Sequence, residues 1–355
     1  MKRKTSLLAL LLCALALPAA AQRWSEAQAN QWYSHQPWLV GANYIPADAI
    51  NELEMWQAPT FNPVKIDQEL GWAQGIGMNT MRVFLHDLLW QQDPAGFKKR
   101  MDIFLAVADR HHIRPIFVLF DSCWEPAPKL GPQHPPIPGV HNSGWVQSPG
   151  IPALKDPAQH ARLQAYVEGV VGAFAKDNRV LAWDIWNEPA DSPEVKALLP
   201  KAFEWARAVH PTQPLTSGIF QDDFATRLTP VSAIQLAKSD VLSFHNYSWP
   251  EKFEQEVIWL QQYRRPLICT EYMARSVGST FDGVLPIAKQ YKVGAINWGL
   301  VNGKTQTNLP WDSWDHPYTL QPPVVWFHDV FRPDGTPYRE QEAKILRELT
   351  ASPTQ

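Results

Sequence analysis

Short apolar runs that break off on polar residues recur along this chain, and stretches of helical periodicity separate them. Residues 38–44, 79–87, 114–121, 180–187, 213–218, 240–247, 265–272 and 293–299 have the length and the β-branched or aromatic content of buried strands. Between them, residues 64–75 place Ile66, Leu70 and Trp72 at helical spacing, and 101–111, 157–176, 195–210 and 278–289 also read as helices, with 340–349 as a closing one. Residues 23–36 predict a short helix across the bottom of the sheet. Strands alternating with helices specify parallel pairing through crossovers. Eight such units predict an α/β fold, a single-domain (β/α)8 TIM barrel with long loops after strands three and eight.

The ends of two runs carry chemistry. Leu181-Ala182-Trp183-Asp184-Ile185-Trp186-Asn187-Glu188-Pro189 begins as a buried strand and closes on an amide and a carboxylic acid. Desolvating such groups costs several kcal/mol unless they are partnered, and in a parallel barrel this strand end is the rim where active sites are built. Eighty-three positions later, Pro266-Leu267-Ile268-Cys269-Thr270-Glu271 ends the same way, with Pro266 at a first strand position that needs no N–H. Two βα units fit between, so strands four and seven would each offer a Glu across the barrel mouth. A retaining glycosidase needs two carboxyl groups about 5–5.5 Å apart. Arg82 lies inside strand two, where an unpaired cation is very costly.

The Trp186-Asn187-Glu188-Pro189 ending resembles the acid/base motif of the retaining glycoside hydrolases of clan A, most closely family 5. The resemblance extends over nearly the whole chain after residue 21. It implies Glu188 as acid/base and Glu271 as nucleophile. It also implies that Arg82 supports the nucleophile, that Asn187 reaches the sugar 2-OH, and that His245 and Tyr247 serve the acid/base, the sugar or the nucleophile. Trp298 would form the floor of the −1 sugar site. The stretch Asp121-Ser122-Cys123-Trp124-Glu125 departs from the pattern, which tends to place a His at the end of strand three. This points to a rebuilt substrate pocket. The long loop 122–153, with His134, His141, Asn142 and Trp145, is placed to wall that pocket. The implied reaction uses no cofactor and no metal, and the Asp and His residues of the loop 300–318 show no ligand spacing.

Substrate identity is read only from the resemblance. The leading expectation is an exo-acting β-mannosidase on small β-1,4-mannosides such as Man-β-1,4-GlcNAc. An endo-β-1,4-glycanase (mannanase, cellulase or xylanase type), a transglycosidase and a non-catalytic carbohydrate-binding protein remain alternatives. The partner in each case is an oligosaccharide or polysaccharide; the oligomeric state is left open.

The N-terminus changes the expected location. Lys2, Arg3 and Lys4, an apolar stretch from Leu7 to Leu17 and Ala19-Ala20-Ala21 form a secretory signal peptide over 1–21, too short to span a bilayer, with the catalytic domain over 22–355. An exported, periplasmic or secreted protein is expected. Without those three basic residues 29 Lys+Arg face 35 Asp+Glu, a net charge of −6, which argues against nucleic acid or an anionic membrane as partner. Cys123 and Cys269 fall near the ends of strands three and seven, where a disulfide is possible. Seventeen Trp serve the core, and some are placed to stack on the apolar faces of sugars. Asn246-Tyr247-Ser248 has the form of a glycosylation acceptor, discounted at a barrel rim.

Overall fold

A computed structural model describes residues 22–220 and 228–351; the expected signal peptide lies outside them. Eight parallel strands form one sheet: β1 (Val40–Asn43), β2 (Thr80–Phe84), β3 (Arg114–Asp121), β4 (Ala182–Asn187), β5 (Leu215–Thr216), β6 (Leu242–His245), β7 (Leu267–Glu271) and β8 (Gly294–Asn297). Their order, β5-β4-β3-β2-β1-β8-β7-β6, leaves one seam between β5 and β6. Ile219 closes it: its N–H donates to the Ser243 carbonyl at 3.1 Å and its carbonyl accepts from the His245 N–H at 2.8 Å. The fold is the expected (β/α)8 barrel.

The elements follow from local chemistry. Ala182 joins Ile116, Ile268 and Ile296 in an apolar cluster at the barrel's base, and the neighbouring Trp183 joins the larger cluster that includes the helices. The helix Glu26–Ser34 starts in a capping box made by Ser25 and Gln28, and Ala29 and Trp32 pack on that basal cluster. It lies where the sequence placed it.

Several boundaries differ, each for a physical reason. The strand expected over 79–87 stops at Phe84, because His86 turns its Nδ1 to cap the helix Asp87–Gln92. The helix expected from residue 101 begins at Pro94, where Asp93 caps the first turn. The helix expected over 157–176 divides into a 3-10 turn, Pro157–Gln159, and the helix His160–Ala173. Strand five keeps only two residues between Pro214 and Gly218. Among the described residues five α-helices were unread: the short Glu52–Trp56, Asp87–Gln92 and Ile151–Lys155, and Pro230–Lys238 and Pro250–Leu260, the last two with proline at N1. Cys123 and Cys269 are free thiols, which removes the possible disulfide. Asn246 is buried and donates to Glu256, in keeping with the discounted sugar attachment. No helix among the described residues is long and apolar enough to cross a membrane.

Candidate active site

Parallel register lines up the rim. Asn43 stands beside Arg82, Asp121 beside Asn187, and His245 beside Glu271. The β6–β7 register shifts between Phe244 and His245, the kind of irregularity that re-aims a side chain next to a site. Glu188 follows β4 with φ of +43°, a left-handed conformation that a non-glycine residue adopts only when its surroundings hold it.

Arg82 is the hub. Its fully buried guanidinium donates to Glu271 Oε1 at 2.8 Å, Asp184 Oδ2 at 2.9 Å, Asn43 Oδ1 at 2.9 Å and Asn187 Oδ1 at 2.7 Å. Burial opposes its charge, but Asp184 and Glu271 outweigh that, so the cation persists. Glu271 accepts on its other oxygen from the Tyr247 hydroxyl at 2.8 Å. Burial, then the charge of Glu271, pushes the Tyr247 phenol well up, so it remains a donor.

Glu188 is held differently. His245 Nδ1 lies 2.8 Å from its Oε1 and the Cys123 thiol 3.3 Å from its Oε2, while 26 % of the side chain remains exposed to the pocket. Burial raises both carboxyls. His245, Arg82 and the Tyr247 hydroxyl pull Glu271 back while the charge of Glu188 pushes it up; at Glu188 the Cys123 thiol and Arg82 oppose burial. Arg82 and Tyr247 donate directly to Glu271, whereas Glu188 meets a neutral imidazole and a thiol, so direct donors favour the ionised form more strongly at Glu271. Burial pulls His245 down to about 4, so its ring is neutral at neutral pH. Burial, reinforced by Asp121, Glu188 and Glu271, holds Cys123 as a thiol rather than a thiolate.

Glu188, His245 and Glu271 offer ligand atoms within 4.8 Å of one another. That separation suits a pair of glutamates working on one anomeric carbon. It would also admit a cation, but the Arg82 guanidinium 2.8 Å from Glu271 repels one from that place.

Every sequence-predicted site residue converges here. Glu188, Glu271, Asn187, Tyr247 and Trp298 line one cleft of about 760 Å³, counting its solvent-filled mouth, with Arg82 and His245 directly behind. The Asn187 amide is engaged with Arg82 and, through Nδ2, with Asp121 at 2.9 Å, so it braces the hub as well as facing the cleft. Trp298 stands edge-on to Phe84 and Trp145, at 5.8 Å from each. Sequence reasoning missed Asp184 and Asn43 as partners of Arg82, Cys123 as a partner of Glu188, and His328 as cleft lining; His141, Asn142 and Trp145 of the loop expected to wall the pocket do line it. Asp184 had a signal: a charge inside an apolar run requires a counter-charge, as Arg82 did. His328 had none, since only the path of the loop after β8 brings it to the cleft.

The loops after β3 and β8 are stapled together over one side. Asn142 donates its N–H to the Thr305 carbonyl at 2.7 Å, Tyr318 to the Gly139 carbonyl at 2.9 Å, and Trp124 stacks on Trp314 with centroids 5.1 Å apart. The wall that the sequence expected is a double one.

No protein-family profile and no curated protein sequence matches the chain. Solved structures do. An exo-β-1,4-mannosidase from Opitutaceae bacterium strain TAV5 is 18 % identical with a TM-score of 0.60, over 88 % of this chain and 59 % of that one, so this chain spans less than two thirds of its length. A GH5_18 protein from Streptomyces cattleya, in complex with GlcNAc, is 12 % identical with a TM-score of 0.60 over 88 % and 79 %. The endo-β-1,4-mannanase from Thermotoga petrophila is 13 % identical with a TM-score of 0.57 over 90 % and 77 %. At these identities the likeness establishes the fold: this chain is built on the same (β/α)8 barrel as those enzymes.

Proposed function

We propose that the protein is a retaining β-glycosidase of clan A, of the family 5 type, with Glu271 as nucleophile and Glu188 as acid/base. The observation that carries the reading is the unequal partnering of two close glutamates. Glu271, between Arg82 and Tyr247, is the carboxylate. Glu188, at the pocket edge with its pKa raised by burial, is the proton donor. In the first step a Glu271 oxygen bonds the anomeric carbon as the glycosidic C–O bond breaks, and the Glu188 proton goes to the departing oxygen. In the second, Glu188 takes a proton from water, which displaces Glu271 with the configuration retained. Asn187, next to Glu188, is the group assigned to the sugar 2-OH, and Trp298 to the sugar's apolar face.

The stapled loops favour a closed-end pocket over an open cleft, and with the mannosidases among the similar structures they support exo action on small β-mannosides, Man-β-1,4-GlcNAc leading. The reading also places the protein outside the cytoplasm, after removal of residues 1–21. A panel of p-nitrophenyl β-glycosides (mannoside, glucoside, xyloside, galactoside), run beside Man-β-1,4-GlcNAc and soluble mannan, glucan and xylan, tests it. The expected result is a monosaccharide released from a mannoside, seen first as the β-anomer by proton NMR. Activity confined to polymers would replace exo by endo action, a first-formed α-anomer would overturn retention, and transfer to added acceptor sugars would show a transglycosidase.

Cys123 gives a pH test of the acid/base. Its thiol hydrogen bond favours the ionised form of Glu188, and Cys123→Ala removes it. Glu188 then holds its proton to higher pH, so the alkaline limb of kcat/KM is expected to move upward, with Cys123→Ser, which keeps a donor, closer to the parent. A downward shift in the alanine variant would mean that Glu188 is not the acid.

A further inference from the structure

Two imidazoles and an amide from the interlocked loops line the same cleft, and the reaction above gives none of them a part. His141 Nδ1 lies 2.7 Å from the Leu309 carbonyl, and His328 Nδ1 2.5 Å from the Met273 carbonyl. A carbonyl oxygen only accepts, so each Nδ1 carries the hydrogen. In a neutral ring Nε2 is then a lone-pair acceptor. Both rings are buried, and burial pulls His141 down to about 4 and His328 well below the usual histidine range. The two rings meet edge to face with centroids 5.5 Å apart. Beside them Asn142 is 1 % exposed, and its Oδ1 has no hydrogen-bond partner among the described residues. Its backbone is held at φ of +48°, a strained conformation of the kind that clusters at ligand sites. His328 also packs against Tyr247, at 5.6 Å between centroids, which puts the group one aromatic ring from the nucleophile.

We propose that His141 Nε2, His328 Nε2 and Asn142 Oδ1 form an acceptor triad that recognises hydroxyl groups of the bound sugar away from the reacting carbon. The inference rests on the glycosidase reading. Asn142 Oδ1 is buried without a protein donor and calls for one from the ligand, because a buried polar group left unpaired is costly; the two imidazoles line the cleft beside it and offer their Nε2 lone pairs as further acceptors. A neutral sugar supplies hydroxyl protons to all three. A sugar carrying a carboxylate at that end brings acceptors against acceptors and is rejected. The triad is therefore a specificity determinant for uncharged, fully hydroxylated sugars, built from loops rather than from the barrel strands that hold the glutamates.

Aryl β-glycosides of the preferred sugar, lacking one hydroxyl at a time at C3, C4 or C6, test it on the full chain. The intact enzyme is expected to lose at least roughly tenfold in kcat/KM on one or more of them, and more on the corresponding uronoside. His141→Phe and His328→Phe are expected to lose roughly 10–100-fold on the parent glycoside, mainly through KM, and to discriminate less against a deoxy analogue. A loss of the same factor on every substrate would make the residues merely structural and overturn the proposal. If neither variant folds, the intact enzyme decides: a penalty below roughly threefold on every deoxy analogue overturns it. If the intact protein cleaves no β-glycoside, the glycosidase reading fails separately. Calorimetric binding of free mannose, its deoxy forms and mannuronate then tests the triad alone: preference for the fully hydroxylated neutral sugar supports it, and equal binding of all overturns it.

Discussion

Glu271→Gln is expected to cost on the order of 10⁵-fold in kcat, with the fold intact, because deleting a covalent nucleophile removes the route rather than one stabilising contact. The substitution preserves shape. An amide in the place of Glu271 still offers Oε1 to the Arg82 guanidinium and its nitrogen to the Tyr247 oxygen, the two groups that hold the carboxylate at 2.8 Å each. The neutral amide cannot form a stable ester with the anomeric carbon. Two readouts separate chemistry from folding. The first is turnover of the substrate that the glycoside panel identifies, beside a thermal melt. The second is mass analysis of peptides after treatment with a 2-deoxy-2-fluoro glycosyl fluoride of the same sugar. Parent enzyme is expected to carry the sugar on the peptide containing Glu271, and the variant to carry none. A variant within tenfold of the parent, or an adduct on a different peptide, would sink the nucleophile assignment.

The same residues show how much the sequence could say. Glu188, Glu271 and Arg82 were legible because a polar group within or at the end of an apolar run is a local anomaly, and desolvation makes anomalies expensive. Asp184 sits in the same run as Glu188 and obeys the same rule; attention to strand ends alone passed over it. The strands survived in number but shrank, since capping groups and prolines end them sooner than hydrophobicity does. His86 illustrates this: it is a polar residue at the end of an expected strand that became a helix cap. The sequence put His141 and Asn142 in a pocket wall, but what holds them there was beyond it for a different reason. His141 is fixed by the Leu309 carbonyl and Asn142 by the Thr305 carbonyl, partners more than 160 positions away with no periodicity to announce them. Barrel strands repeat a pattern, whereas loop-to-loop contacts obey only tertiary geometry. The two facing glutamates could thus be read from sequence, and the loop contacts around their cleft could not.

Arg82→Met carries the largest expected effect on stability. The substitution keeps most of the side-chain volume but strips a donor from each of Glu271, Asp184, Asn43 and Asn187 at once. Two buried carboxylates then face no cation, and breaking a buried pair from one side costs about 3–5 kcal/mol, a fall of roughly 4–7 °C in Tm for a domain of this size. The loss should depend on pH in a defined sense. Burial already raises the folded-state pKa of Asp184 and Glu271, and Arg82 opposes that rise. Without it both rise further. A carboxyl with a raised folded pKa stabilises the fold at low pH and loses that contribution as pH climbs through it. The gap between variant and parent should therefore be small in acid and widen toward neutrality. Activity should follow the same logic: Glu271 retains its proton to higher pH, and the acidic limb of kcat/KM shifts upward. Arg82→Met combined with Asp184→Asn should melt higher than Arg82→Met alone, because one of the two orphaned charges is gone. If the double variant melts no higher and the acidic limb stays in place, Arg82 is filling space rather than balancing charge, and Glu271 owes its ionisation to Tyr247 and its other neighbours.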